Sequence, residues 1–269
     1  MTTKPSTEKL TVLITGASSG IGEALARCFA ANGHRLVLVA RSADKLKALA
    51  RELHAEHGVA VDVLPADLVQ ADAAAALAAK LRRKRLAVDV LVNNAGALEQ
   101  GAFVTMPVAR HQALIDLNIS GLTAMLAAFL PSMVARGSGR VMNVASIAAF
   151  QPIPGLATYA ATKAYVLSLT ESLAEELRGS GVTVTALCPG ITATAMLDRA
   201  AEGNAHLAHL PGVLVADVAA VAAEGLRACL AGEVIAVPGA VNQAAALATR
   251  ATPRWLVRRI AGAIGRRWT

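Results

Sequence analysis

LTVLITGASSGIG, Leu10 to Gly22, is the stretch whose reading decides the fold. Its first half, Leu10–Thr15, is apolar and β-branched, as a strand buried on both faces should be. Its second half sets glycines in a tight turn that opens directly into a helical pattern, Ile21–Asn32. Glycines at a strand-to-helix turn let the backbone approach a pyrophosphate closely. The helix N-terminus adds unpaired N–H groups and positive potential. The spacing is TGxxxGxG, and such a turn could also be mere tight packing. Its position directly after the first strand is the context that phosphate binding requires.

Outward from this stretch the same alternation repeats. Short apolar runs at Arg35–Ala40, Val59–Leu64, Val88–Asn93, Arg140–Ala145, Val182–Cys188 and Val234–Val237 read as further strands. Helical patterns lie between them at Ala43–His57, Ala71–Arg85, Val108–Ala135, Tyr159–Arg178 and Val215–Ala231. In the first of these, Leu46, Leu49, Ala50 and Leu53 recur at helical spacing and form one stripe for a sheet. Continuous apolar strands alternating with helices imply a doubly wound α/β fold, a parallel sheet covered on both faces. No internal repeat or linker-like stretch divides the chain. The reading is an N-terminal arm (1–9), one domain (10–240) with an irregular segment at 195–214, and a basic tail (241–269).

Composition narrows the class. Of 269 residues, 55% are hydrophobic and 17% charged, which suits a large packed core and excludes disorder. Three scattered cysteines, Cys28, Cys188 and Cys229, give neither a disulfide framework nor a zinc ribbon. The N-terminus MTTKPSTEKL has no apolar leader. Leu114–Ala135 carries Asp116 and Asn118, and Val213–Ala231 carries Asp217, Glu224 and Arg227, so neither reads as a membrane span. The expected location is therefore the cytoplasm. Of the net charge of +7, six arginines from Arg250 onward supply +6, leaving +1 for the body. With four Phe, two Tyr and two Trp there is little to stack on bases, so no nucleic-acid partner is expected. The cluster Lys80, Arg82, Arg83, Lys84 and Arg85 ends a helix, where the dipole favours cations. No metal site is expected, since His206 and His209 stand without further ligands.

Several residues carry chemistry. The second strand is followed by Arg41, with no acid before Asp44. A carboxylate there would hold ribose hydroxyls, whereas an arginine pairs with a 2′-phosphate through its planar fork. This favours NADP over NAD, against the plain alternative of a solvated arginine. Tyr159 and Lys163, four apart, share a helix face, so an ammonium can favour the phenolate of a tyrosine whose free pKa is near 10. Taken alone, such a pair is usually a surface coincidence. Ser146 ends a strand at the mouth of the sheet and can bond a substrate oxygen. Asn118, in the middle of a helical pattern, more commonly bends a helix than catalyses.

Taken in order, TGASSGIG, Asp67, Asn93-Asn94-Ala95-Gly96, Asn118, Ser146, Tyr159-xxx-Lys163, and Pro189-Gly190 with Thr194 resemble the short-chain dehydrogenase/reductase family from about Leu10 to Gly239. The resemblance implies a single Rossmann-type domain with seven parallel strands. It also implies hydride transfer between NADP(H) and a carbonyl or alcohol. Tyr159 would be the acid/base, with Lys163 binding ribose and lowering the Tyr159 pKa. Ser146 would orient the substrate oxygen, and Asn118 would hold a relay water. The cofactor would lie on Gly16, Ser18, Ser19, Gly20, Ile21 and Gly22, with Arg41 at the 2′-phosphate. Asp67 and Leu68 would flank adenine; Asn94, Ala95 and Gly96 the ribose region; and Pro189, Gly190, Ile191 and Thr194 the carboxamide. Assembly as a homodimer or homotetramer through Val108–Ala135 and Tyr159–Arg178 is implied too.

Specificity in the family resides after Pro189-Gly190 and at the C-terminus. Here Met196, Leu197, Leu207 and Leu210 suggest a hydrophobic substrate, although they would equally suit a simple cover. Thr252-Pro253 signals a helix start in the tail. On a wheel Val257, Ile260, Ala261, Ile264 and Trp268 gather opposite Arg258, Arg259 and Arg266. Such a helix suits peripheral contact with the inner face of an anionic membrane; the plain alternative is a solvated or subunit-docking tail. The rival to an enzyme is a catalytically idle dinucleotide-binding sensor or membrane-associated scaffold, which would not need Tyr159, Lys163, Ser146 and Asn118 together. An isomerase or dehydratase is disfavoured by chain length and by the glycine spacing.

Overall fold

A computed structural model describes residues 9–194 and 215–265. The strands are rich in β-branched residues and leucine, and alternate side chains go to opposite faces. Strand β1 (Thr11–Thr15) sends Leu13 to one core and Val12 and Ile14 to the other. Strand β2 (Arg35–Val39) splits likewise, with Val37 and Val39 on one side and Leu36 and Leu38 on the other. With β3 (Val61–Val63), β4 (Val90–Asn93), β5 (Gly139–Val144), β6 (Val182–Leu187) and β7 (Ile235–Ala236), they form one seven-stranded sheet in the order β3-β2-β1-β4-β5-β6-β7. All six pairings are parallel.

Parallel strands need crossovers, and helices supply them on both faces. Helices α1 (Gly20–Ala31), α2 (Ala43–His57) and α7 (Val218–Ala231) bury Leu25, Phe29, Leu46, Leu53 and Val221 in the core with Val12 and Ile14. On the other face lie α3 (Ala73–Arg83), α5 (Leu122–Arg136) and α6 (Ala157–Glu176), contributing Leu77, Met125, Phe129 and Val166. The chain from β3 returns to lay β4 beside β1, so the strand order reverses there. The crevice at the carboxyl ends of β1 and β4 is where such sheets bind ligands.

Three elements depart from the sequence expectation. Val108–Ala135 is not one regular helix: α4 (Val108–Ile115) runs through a π turn at Asp116–Gly121 into α5. This span is long and apolar enough by composition to cross a membrane. Its residues Leu114, Leu122, Met125, Leu126, Phe129 and Met133 are instead buried in the protein. The last strand shortens to Ile235–Ala236. Residues 241–265 form two helices, α8 (Ala240–Ala251) and α9 (Arg254–Gly265). Within α9 Val257 is buried while Ile260, expected on the same stripe, is exposed. The basic cluster does end α3, with Lys80, Arg82 and Arg83 in its last turn, and Lys84 pairs with Asp62.

Candidate active site

The glycine turn is held from behind. Thr15 Oγ1 accepts hydrogen bonds from the N–H groups of Asn94 and Ala95, both at 3.0 Å. The Asn94 amide donates to the carbonyls of Thr15 (3.0 Å) and Gly16 (3.2 Å). Gly16 has φ +65°, and a Cβ on it would lie 2.8 Å from the Ala95 Cα. A Cβ on Gly22 would lie 2.4 Å from both the Asn94 amide and the Gly16 carbonyl. Only bare backbone fits where β1, the turn and the β4 loop meet. The N-terminus of α1 is thereby set against the crevice with its N–H groups forward.

A cavity of about 550 Å³ runs along the carboxyl edge of the sheet. At one end lie Arg41 and Ser42, just past β2, with Asp67 and Leu68 nearby. Gly16, Ser18, Ser19, Gly20 and Ile21 form its middle, with Asn94, Ala95 and Gly96 opposite. At the far end lie Ser146, Tyr159 and Lys163, followed by Pro189, Gly190, Ile191 and Thr194. Of the residues expected to serve catalysis or hold the cofactor, all but Gly22 and Asn118 line this cavity, and those two brace its wall. Met196, Leu197, His206, Leu207, His209 and Leu210 lie outside the described residues. Among the described residues no cluster of three His, Cys, Asp or Glu side chains could hold a metal ion.

Ser146 follows β5 and caps the short turn Ile147–Phe150, its Oγ accepting from the Ala148 N–H at 3.1 Å. Tyr159 and Lys163 are buried on one face of α6. The Lys163 Nζ lies 5.8 Å from the centre of the Tyr159 ring and donates to the Val144 carbonyl at 2.8 Å. Burial pulls the Lys163 ammonium down from its ordinary 10.5 to about 8, opposed by the neighbouring Cys188. Burial also pushes the Tyr159 phenol up, while its hydrogen bond with Ser146 pulls it back. Two groups that ordinarily titrate near 10 thus respond in opposite directions, because burial disfavours whichever form is charged.

Asn118 sits in the π turn, only 2% exposed. Its Nδ2 donates to the Ala97 carbonyl (3.0 Å) and Thr162 Oγ1 (3.1 Å), and its Oδ1 accepts from the Ala97 N–H (2.9 Å). Thr162 in turn donates to the Tyr159 carbonyl at 2.7 Å. The asparagine therefore clasps the β4 loop to α6 beside Lys163. A π turn marks where the helix yields to admit it, as is frequent at functional sites.

Some lining residues carried no sequence signal. Gln151, Pro152, Ile153, Pro154 and Leu156 line the far end, as do Leu98, Gln100 and Ala261. For the first five a clue existed. Ser146 and Tyr159 are thirteen residues apart and meet at one site, so the chain between them must form its rim. Ala261 stood on the apolar stripe of the tail, but nothing in the sequence aimed that stripe at this cavity.

The family model for short chain dehydrogenase matches residues 10–205. A 3-oxoacyl-[acyl-carrier-protein] reductase of Synechocystis is 39% identical over 188 residues, covering 70% of this chain and 76% of its own. A short-chain dehydrogenase of Sphingobium yanoikuyae, solved in complex with NADPH, is 39% identical with a TM-score of 0.79, over 88% of this chain and 91% of that one. The bulky-bulky ketone specific alcohol dehydrogenase of Comamonas testosteroni is 33% identical with a TM-score of 0.75, over 91% and 95%. The chain belongs to the short-chain dehydrogenase family. It is an oxidoreductase of that type, built as a single Rossmann-like domain.

Proposed function

We propose that the protein transfers a hydride between NADP(H) and the carbonyl or alcohol carbon of an apolar substrate, with Tyr159 as the acid/base. The observation that carries this reading is the convergence of Ser146, Tyr159 and Lys163 at one end of a cavity whose middle is a glycine turn at a helix N-terminus. The turn fits a dinucleotide. It is bare of side chains where a Cβ would collide with the β4 loop, and Ser18, Ser19, Gly20 and Ile21 face the cavity there. Bound in this groove, the nicotinamide supplies or accepts the hydride. Gly16, Ser18, Ser19 and Ile21 would hold the phosphates. Asp67 and Leu68 would flank the adenine, Asn94 and Ala95 the ribose, and Ile191 and Thr194 the carboxamide. Arg41, solvent-exposed at the cavity's end, would pair with a 2′-phosphate. The NADPH held by the Sphingobium relative supports the same preference.

Tyr159 Oη protonates the substrate oxygen in reduction and removes its proton in oxidation. A neutral phenol, which burial favours, is the form required to donate. Ser146 Oγ shares the bond to that oxygen and holds it in place. Lys163, depressed to about 8, can pass a proton near neutral pH, and Asn118 fixes the loop and helix between which a relay water would sit. Leu98, Ile147, Ile153, Pro154, Leu156 and Ala261 around the reacting end suit an apolar substrate. An apolar groove between α5 and α6, formed by Leu126, Leu130, Val134, Leu169, Leu173 and Leu177, is the face through which a homodimer or homotetramer would form.

The test is NADPH oxidation followed by absorbance over a panel of ketones, aldehydes, 3-oxoacyl thioesters, steroids and quinones, repeated with NADH. Turnover should vanish in Tyr159→Phe while NADPH affinity stays within about twofold, since only the transferable proton is lost. Turnover surviving in Tyr159→Phe, or tight NADPH binding with no turnover across the panel, would refute the mechanism.

A further inference from the structure

The chain beyond Glu233 contains six arginines and no acidic residue. Four of the six, Arg250, Arg254, Arg258 and Arg259, sit on α8 and α9, while Arg266, Arg267 and Trp268 lie outside the described residues. The two helices also expose Val241, Leu247, Trp255 (55%) and Ile260 (51%). The arm is fastened at its base: Arg250 reaches Glu171 at 3.2 Å and lies over the Phe150 ring, beside the turn that Ser146 caps. Helix α9 then presents two different faces. Inward, Val257 is buried and Ala261 lines the substrate end of the cavity. Outward, the Arg259 guanidinium lies 5.9 Å from the centre of the Trp255 ring, with Arg258 and Ile260 exposed alongside.

We propose that the outer face of α9 docks on an anionic lipid bilayer, so that the substrate end of the cavity, walled by Ala261 on the inner face, takes a lipophilic carbonyl compound from the membrane. An indole beside a guanidinium suits the headgroup boundary, where the ring enters the acyl edge and the cation meets phosphate. Uniform positive charge next to exposed apolar side chains matches a surface that is negative and apolar beneath. It mismatches a second copy of the same face, because an isologous contact would bring the arginines of both arms together. The delivery step rests on the carbonyl chemistry proposed above. The docking step does not.

Both tryptophans of the chain, Trp255 and Trp268, lie in its last fifteen residues, so the intrinsic emission of the whole protein reports on the arm. Vesicles of phosphatidylglycerol mixed with phosphatidylcholine should shift that emission to the blue and carry the protein upward in flotation. Vesicles of phosphatidylcholine alone should do neither. Each arginine near an anionic surface contributes roughly fivefold in partitioning, so Arg258→Gln with Arg259→Gln should weaken binding about 25-fold. Emission indifferent to the anionic lipid, or unchanged partitioning in the double variant, overturns the docking. So does a change of oligomeric state in Trp255→Ser with Ile260→Ser, which would make the face a subunit contact. With docking observed, KM for a long-chain ketone should fall when it is carried in anionic rather than neutral vesicles. An unchanged KM overturns delivery alone, and the absence of any ketone turnover refutes the reaction assignment while leaving the binding readouts to judge the surface.

Discussion

Replacing Lys163 by methionine should abolish turnover and yet make the cofactor-free protein more stable at neutral pH. The ammonium is buried, and its pKa of about 8 against an ordinary 10.5 is a cost borne by the folded state. At 1.36 kcal/mol per pKa unit, holding the charged form costs about 3 kcal/mol. Methionine removes that cost but leaves the Val144 carbonyl, 2.8 Å from Nζ, without its donor, a loss of about 1 kcal/mol. The net gain is about 2 kcal/mol at pH 7. With stability near this size moving Tm by ~2–4 °C per kcal/mol, the variant should melt about 5 °C higher.

The pH dependence gives the sharper test. Below pH 8 Lys163 is protonated in both the folded and unfolded chains, so the full cost is present. From pH 8 upward the folded state releases the proton while the unfolded chain still binds it. Stability of the wild-type protein therefore rises through this window relative to the variant. The gap should narrow from pH 8, close near pH 10, and reverse once only the lost hydrogen bond remains. Thermal melts of both proteins from pH 7 to pH 10, without nucleotide, measure it. A variant less stable at pH 7, or a gap that stays constant across the window, would refute the assignment of a destabilising buried charge.

Three further outcomes follow from the same geometry. Arg41→Asp should weaken NADPH binding by at least about tenfold, from the loss of a charge-assisted bond of ~1.5–3 kcal/mol, and leave NADH little changed, as titration of cofactor fluorescence would show. Gly22→Ala puts a Cβ against Asn94 and Gly16 and should weaken both cofactors together by tenfold or more, a pattern distinct from Arg41→Asp in the same titration. Cys188 and Cys229 are buried with thiols pushed up to about 12, so a thiol reagent at pH 7 should modify them only at the rate of unfolding, with Cys28 reacting first by mass spectrometry.

What was legible in the sequence and what was not follow from the range of the forces involved. Strands such as Arg35–Val39 and helices such as Ala43–His57 are dictated by their own apolar periodicity, and a parallel sheet covered on both faces follows from their alternation. The glycine turn was legible because the turn itself puts Gly16 and Gly20 at positive φ, a local demand that glycine meets, although the close approach of Asn94 and Ala95 to Gly16 and Gly22 comes from far along the chain. The π turn was not. Asp116–Gly121 fits an α-helical pattern, and the helix yields there because Asn118 bonds Ala97, a residue 21 positions away. The orientation of α9 escaped for a like reason: the wheel put Ile260 on one stripe with Val257 and Ala261, but packing buries Val257 and sets Ala261 at the cavity while Ile260 faces outward. Both misses concern long-range contacts that alter a local register, which periodicity cannot encode.

The buried face of α6 shows how the site is supported. Tyr159, Thr162, Lys163, Val166 and Thr170 recur at three- and four-residue steps, so they form the stripe that packs on the sheet. In an ordinary core helix that stripe would be wholly apolar. Here four of the five carry polar groups, and most are matched: Thr162 by Asn118, Lys163 by Val144, and Thr170 by Asn143, which itself accepts from Asn93 on the neighbouring strand. Such a network stabilises the fold little more than leucines would, but it admits only one register of α6 against β4 and β5, because a slip would leave several buried groups unpaired at once. The chemistry and its positioning thus occupy the same stripe. This is why Asn118→Leu, which keeps the branched shape but removes the clasp, should lower kcat with little effect on KM for NADPH. Its failure to do so would separate the polar network from catalysis.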